Sequence, residues 1–185
     1  MTTLEKAIVF AVEAHAGVNR KGKTRPYILH PLEAMTIVST VTEDEEVLAA
    51  EVLHDTVEDT ALTKADIETA FGKRVAKLVA AESENKREDQ PAEATWKERK
   101  QETIDHLKGL ERDAKLICLG DKLANIRELS RDYADLGDAL WERFNQKDKR
   151  EHSWYYSSVF EVLADEFGDI PAIMEYRRLL EEIFG

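Results

Sequence analysis

Val47-Leu48-Ala49-Ala50 and then Val52-Leu53 form an almost wholly apolar stretch with no Gly or Pro to break it. It leads directly into His54-Asp55-Thr56-Val57-Glu58-Asp59-Thr60. A helix apolar on most of its faces has to be buried, and this one delivers an imidazole and three carboxylates into or beside the interior. Buried charge costs several kcal/mol, roughly, unless it is paired or bound to a metal. If the helix runs on, Glu58 lies one turn beyond His54 and Asp59 one turn beyond Asp55, so the four side chains form one connected patch. The pattern predicts a metal site with acid/base groups beside it. A buried ion-pair network is the structural alternative.

The rest of the chain sets the conditions for such a site. At 185 residues, 43% hydrophobic and 35% charged, it is long enough to bury a substantial core without staples. Its one cysteine, Cys118, lies in the apolar run Leu116-Ile117-Cys118-Leu119 and reads as core packing in a reducing compartment. Ala7 to Val12 is too short an apolar stretch for a signal peptide, and no segment approaches the length of a membrane span. A cytoplasmic protein without membrane contact is expected. The net charge of −12 argues against nucleic acid as partner. Local basicity survives in Arg20-Lys21-Gly22-Lys23-Thr24-Arg25, which reads equally as a phosphate trap or as a solvated loop. A homo-oligomer is compatible with the sequence but not predicted by it.

The hydrophobic spacing reads as helices throughout, without a convincing alternating strand. A first helix covers Leu4–Ala16 and ends at Gly17, and a second starts with Pro31 in its first turn and reaches Thr40. Thr42 or Asp44 caps the buried helix. Thr63 with Asp66 resembles a capping box for a short helix that stops near Gly72, and another runs from Lys73 to Ala81. Glu82–Pro91 is nearly all polar and reads as solvated surface, with a lid as the alternative. Helices resume over Thr95–Leu107, Ala114–Arg131, Ala134–Asn145, Glu151–Glu166 and Asp169–Ile183. The expectation is an all-α single domain, 1–185.

Two further segments could complete a metal shell. Pro26-Tyr27-Ile28-Leu29-His30-Pro31 puts His30 at the mouth of a helix. Leu119-Gly120-Asp121-Lys122-Leu123-Ala124-Asn125 buries Asp121 mid-helix with Asn125 on the same face, while Gly120 lets something approach closely. Taken singly, such a His is more often a cap, and such an Asp more often pairs with a cation, for which Lys122 is available.

The order His30, His54-Asp55, Asp121 resembles the metal-binding pattern of HD-domain phosphohydrolases. The wording is closer to one branch. Ala14-His15-Ala16-Gly17 with Arg20-Lys21, the Pro26–Pro31 run, His54–Thr60, and Phe71-Gly72-Lys73-Arg74-Val75-Ala76-Lys77-Leu78-Val79 resemble the hydrolase domain of RelA/SpoT-type proteins. Those enzymes remove the 3′-pyrophosphate of the alarmone (p)ppGpp. The likeness covers about residues 5–131, and the chain length leaves no room for a synthesis domain. It implies an all-α HD-superfamily helical bundle of the small, hydrolase-only kind, with C-terminal helices over 132–185.

The resemblance also implies roles. His30, His54, Asp55 and Asp121 become metal ligands, with Mn2+ as the usual ion, although the donor set alone also admits iron, zinc or cobalt. Glu58 and Asp59 become the pair that orients and deprotonates water and handles the leaving-group proton. Arg20 and Lys21 face the nucleotide phosphates, and Asn125 lies beside the ribose. Tyr27 reads as packing, with contact to the base as the alternative; Trp154, Tyr155 and Tyr156 read as core packing, with a part in closing the nucleotide pocket as the alternative; His15 reads as structural. The expected products are pyrophosphate and GDP or GTP. The rival readings are hydrolysis of another nucleotide (an adenosine alarmone, (p)ppApp, or the 2′-phosphate of NADPH), a nucleotide-binding module without catalysis, and a scaffold around a structural metal.

Overall fold

The computed structural model describes residues 1–82 and 91–185. Every regular element among them is helical, apart from one isolated antiparallel bridge between Asn19 and Pro26. The helices are α1 (Thr3–Ala14), α2 (Leu29–Val38), α3 (Glu45–Leu53), α4 (Thr56–Asp59), α5 (Lys64–Phe71), α6 (Lys73–Ala81), α7 (Ala92–Lys108), α8 (Arg112–Leu136), α9 (Lys149–Phe167) and α10 (Pro171–Phe184). The polar stretch Glu82–Pro91, expected as surface or lid, lies outside the described residues except for its two ends.

The Cα positions group into two compact units. In the first, which holds α1 to α6 and Arg112–Ala124 of α8, α3 packs against α1, α2 and α6. Every residue of α3 from Val47 to Leu53 is buried, as an almost wholly apolar surface requires. Each fully enclosed Val or Leu there contributes about 1.5–3 kcal/mol. Asp44 caps the helix: its Oδ1 accepts from the backbone N–H of Glu46 at 3.0 Å and of Val47 at 3.4 Å. Arg74 of α6 grips the same Asp44 at 2.8 Å, Glu46 at 2.7 Å and Asp113 of α8 at 2.8 Å. The predicted box at Thr63 and Asp66 opens α5, and a second one, Thr2 with Glu5, opens α1.

The second unit holds α7, the rest of α8, α9 and α10. Its core includes an aromatic cluster around Trp141, whose ring lies 5.7 Å from Phe184, 6.2 Å from Phe144 and 4.9 Å from His152. Tyr155 is buried in it, whereas Trp154 is only half-buried, under the Lys97 ammonium at 3.8 Å. The separate helix predicted over Ala134–Asn145 does not form. Instead α8 continues to Leu136, and Gly137, at φ 55°, turns the chain into a 3-10 segment, Gly137–Arg143. An α-helix cannot pass through a left-handed residue, and glycine adopts that conformation without a Cβ penalty.

Candidate metal centre

His54 and Asp55 do not continue the buried helix as one unbroken cylinder. α3 ends at Leu53, and α4 starts at Thr56. Side chains take the carbonyls that the helical ladder would use: His54 Nδ1 stands 2.7 Å from the Glu51 carbonyl oxygen, and the Thr56 hydroxyl donates to the Leu53 carbonyl at 2.7 Å. With Nδ1 as the donor to Glu51, the lone pair of His54 lies on Nε2. Nε2 is buried and has no hydrogen-bond partner among the described residues.

The other groups meet it there. His30 is the second residue of α2, held by its backbone N–H to the Tyr27 carbonyl at 2.9 Å. Asp121 comes from the middle of α8, paired with the neighbouring Lys122 ammonium. His30 Nε2 lies 3.1 Å from Asp121 Oδ1 and 3.6 Å from Asp55 Oδ2. His54 Nε2 lies 3.0 Å from Asp55 Oδ2 and 3.6 Å from Asp121 Oδ1. The four atoms therefore form a closed ring of alternating nitrogen and oxygen. Neighbouring ligand atoms about 2.0–2.2 Å from a divalent ion stand roughly 3.0–3.6 Å apart; His30, His54 and Asp121 bring one ligand atom each close enough together to hold such an ion, Asp55 lies beside them, and the unpartnered Nε2 of His54 is an atom that would bind it.

The electrostatics agree. Burial opposes a charge on His54, but Asp55 and Asp121 outweigh it and hold the imidazole well above its ordinary pKa. Burial likewise works against the charged form of both carboxylates. For Asp55 the His54 and His30 imidazoles outweigh it, and for Asp121 Lys122 and the same imidazoles do, so both stay below the usual carboxylate range. A site that draws a proton onto His54 while keeping Asp55 and Asp121 ionised is one that favours a bound cation.

Of the expected acid/base pair, Asp59 is exposed and Glu58 half-buried, both on α4. What sequence reasoning missed is Tyr27. Read as packing, it instead places its hydroxyl 2.6 Å from Asp55 Oδ2 and 2.8 Å from Asp59 Oδ2. Burial, with both carboxylates adding to it, pushes its pKa far above the ordinary phenol value. It therefore stays protonated and offers its one proton to one carboxylate at a time. His15 is buried and stacks on Tyr27 at 4.8 Å, and Arg20 sets its guanidinium 5.3 Å from the same ring. Lys21 is exposed in the turn that follows. Asn125 is half-buried and belongs to the second unit.

Two more carboxyls were overlooked. Glu51 is fully buried in α3, where burial pushes its carboxyl well above the usual range with His54 opposing. Glu82, just past α6, is pushed up to about 7 by burial, with Lys122 opposing and Asp121 adding to it. The signal for Glu51 was a single acid inside an otherwise apolar run.

Comparisons with known proteins bear on this geometry. A family model described as HD domain matches residues 7–154. The guanosine-3′,5′-bis(diphosphate) 3′-pyrophosphohydrolase MESH1 of Danio rerio is 37% identical over 131 residues, which are 69% of each chain. Its Xenopus tropicalis counterpart is 39% identical over 129 residues, 68% of this chain and 69% of that one. A solved structure described as a metazoan ortholog of SpoT that hydrolyses ppGpp superposes with a TM-score of 0.73 at 25% identity, covering 98% of this chain and 95% of that one.

Proposed function

This chain belongs to the HD-domain family, and from that premise we propose that it is a metal-dependent hydrolase of the 3′-pyrophosphate of (p)ppGpp, releasing pyrophosphate and GDP or GTP. The observation that carries the reading is the closed ring of His30 Nε2, Asp121 Oδ1, His54 Nε2 and Asp55 Oδ2. The activity borne by the MESH1 relatives supports the choice of substrate.

Each residue has a part. His30, His54, Asp55 and Asp121 would hold the ion, which we take to be Mn2+. When bound, the ion polarises the phosphate and lowers the pKa of water towards neutrality. Asp59, aligned through the Tyr27 hydroxyl, and Glu58 orient the attacking water, take its proton and return one to the leaving oxygen. Arg20 and Lys21 offset charge on the departing pyrophosphate, and Asn125 contacts the ribose. In this reading the protein works in the cytoplasm, as one domain, on a small nucleotide rather than on nucleic acid. The net charge of −12 supports the last point.

The test is pyrophosphate release from ppGpp by metal-stripped protein with and without added Mn2+, with ppApp and NADPH run in parallel. Mn2+-dependent release from ppGpp is expected. Turnover of only ppApp or NADPH would overturn the substrate, and silence on all three would overturn the enzyme.

A further inference from the structure

Tyr27 touches both the ligand ring and the acid/base pair. Its hydroxyl lies 2.6 Å from Asp55 Oδ2 and 2.8 Å from Asp59 Oδ2. The first of these oxygens is the one that stands 3.0 Å from His54 Nε2 and 3.6 Å from His30 Nε2, so the phenol is bonded to an atom of the metal site itself. The second belongs to an exposed carboxylate on α4. A phenol has a single O–H, so the two acceptors compete for it.

The ring that carries this hydroxyl is fixed. The Tyr27 backbone N–H donates to the Val18 carbonyl at 2.9 Å, and the Tyr27 carbonyl accepts from the His30 N–H at 2.9 Å. The buried His15 stacks on the ring at 4.8 Å, and the Arg20 guanidinium lies 5.3 Å from its centre. Phenylalanine would fill the same space. Only the hydroxyl adds a donor between two carboxylates that would otherwise repel each other.

We propose that Tyr27 is a positioning residue that couples the metal site to the base. Its O–H donates to Asp55 while the site holds no ion and turns to Asp59 once a divalent ion draws on Asp55 Oδ2. An oxygen that shares electron density with a cation is a poorer hydrogen-bond acceptor. The change needs only rotation about the Cζ–O bond, with no heavy atom moved, and it aligns Asp59 in the loaded enzyme alone. This deepens the hydrolase reading above and rests on it.

The test is calorimetric titration of metal-stripped protein with Mn2+ alone, beside ppGpp kinetics at saturating Mn2+, for the unsubstituted chain, Tyr27→Phe, Asp59→Ala and the double variant. Tyr27→Phe should bind Mn2+ as well as the unsubstituted chain or better, hold KM, and lose about 10–100-fold in kcat. Asp59→Ala leaves the phenol only Asp55 to bond, so Mn2+ Kd should weaken by about 3–10-fold more than in the double variant, the worth of one hydrogen bond. Loss of the Asp59 charge acts equally in both, so the cycle isolates the phenol. An additive cycle, a weaker Mn2+ Kd in Tyr27→Phe, or an unchanged kcat in Tyr27→Phe would overturn the proposal. Absence of ppGpp turnover by the unsubstituted chain would overturn the hydrolase reading alone, because the Mn2+ cycle judges the coupling without substrate.

Discussion

Two histidines are enclosed to nearly the same degree and treated in opposite ways. His54 in the first unit is 3% exposed and faces Asp55 and Asp121, which hold its pKa up. His152 in the second is 5% exposed and lies among Trp96, Trp141 and Phe144. There burial dominates and its pKa is lowered, although its Nε2 meets the Gln146 carbonyl at 2.7 Å. Burial alone does not mark a functional histidine. The charge of what surrounds it does, because carboxylates call for a cation and aromatic edges and carbonyls do not.

The contrast can be broken most severely at its first member. His54→Ala should lose Mn2+ binding and bring alarmone hydrolysis down to background, whereas His152→Phe should retain both. Metal analysis of purified protein beside pyrophosphate release decides this, and a metal-replete, active His54→Ala protein would end the assignment. Next in size is Glu58→Ala, expected to keep the metal and lose about 10²–10⁴-fold in kcat. If it stays fully active, Asp59 alone is the base.

The histidines should also differ in how pH acts on stability. The folded pKa of His152 lies below its ordinary 6.5, so between those values the unfolded chain binds more protons. Its contribution is complete above about pH 6.5 and declines as pH falls towards the folded value. Melting curves at about pH 5.5 and 7.5 should show a smaller acid-side drop in Tm for His152→Phe than for the unsubstituted chain. Equal drops would mean that burial does not lower the imidazole's pKa below its value in the unfolded chain.

The smallest effect belongs to charges on the surface. Arg74 joins three carboxylates, but its side chain is 41% exposed. Arg74→Ala should therefore change unfolding free energy by less than about 1 kcal/mol, and by less still in high salt. Denaturant melts at two salt concentrations measure it.

Much of this was legible in the residues. The apolar surface of Val47–Leu53 demanded burial, Asp44 and Thr63 signalled caps, and Gly120 signalled close approach, met here by Glu51 and Val38. Local pattern carries such information because the partners lie within a turn or are specified by shape. Three features were beyond it. The Tyr27 hydroxyl reaches across 28 and 32 residues to its carboxylates, a separation that no periodicity encodes. The break after Leu53 arises from side chains competing for carbonyls, not from any helix-breaking residue. The missing helix over Ala134–Asn145 turned on the sign of one φ, at Gly137.

The close approach of Glu51 and Val38 to Gly120 also constrains how the chain can drift. A methyl group at 120 is admitted only after Glu51 and Val38 have both yielded space, whereas either of those can shrink with Gly120 unchanged. The substitutions are therefore not interchangeable in time: one order passes through folded intermediates and the reverse begins with a collision. A lineage that has once enlarged position 120 cannot recover the acid at 51 by a single step, so the fit between the two helices behaves as a ratchet on its own ancestry.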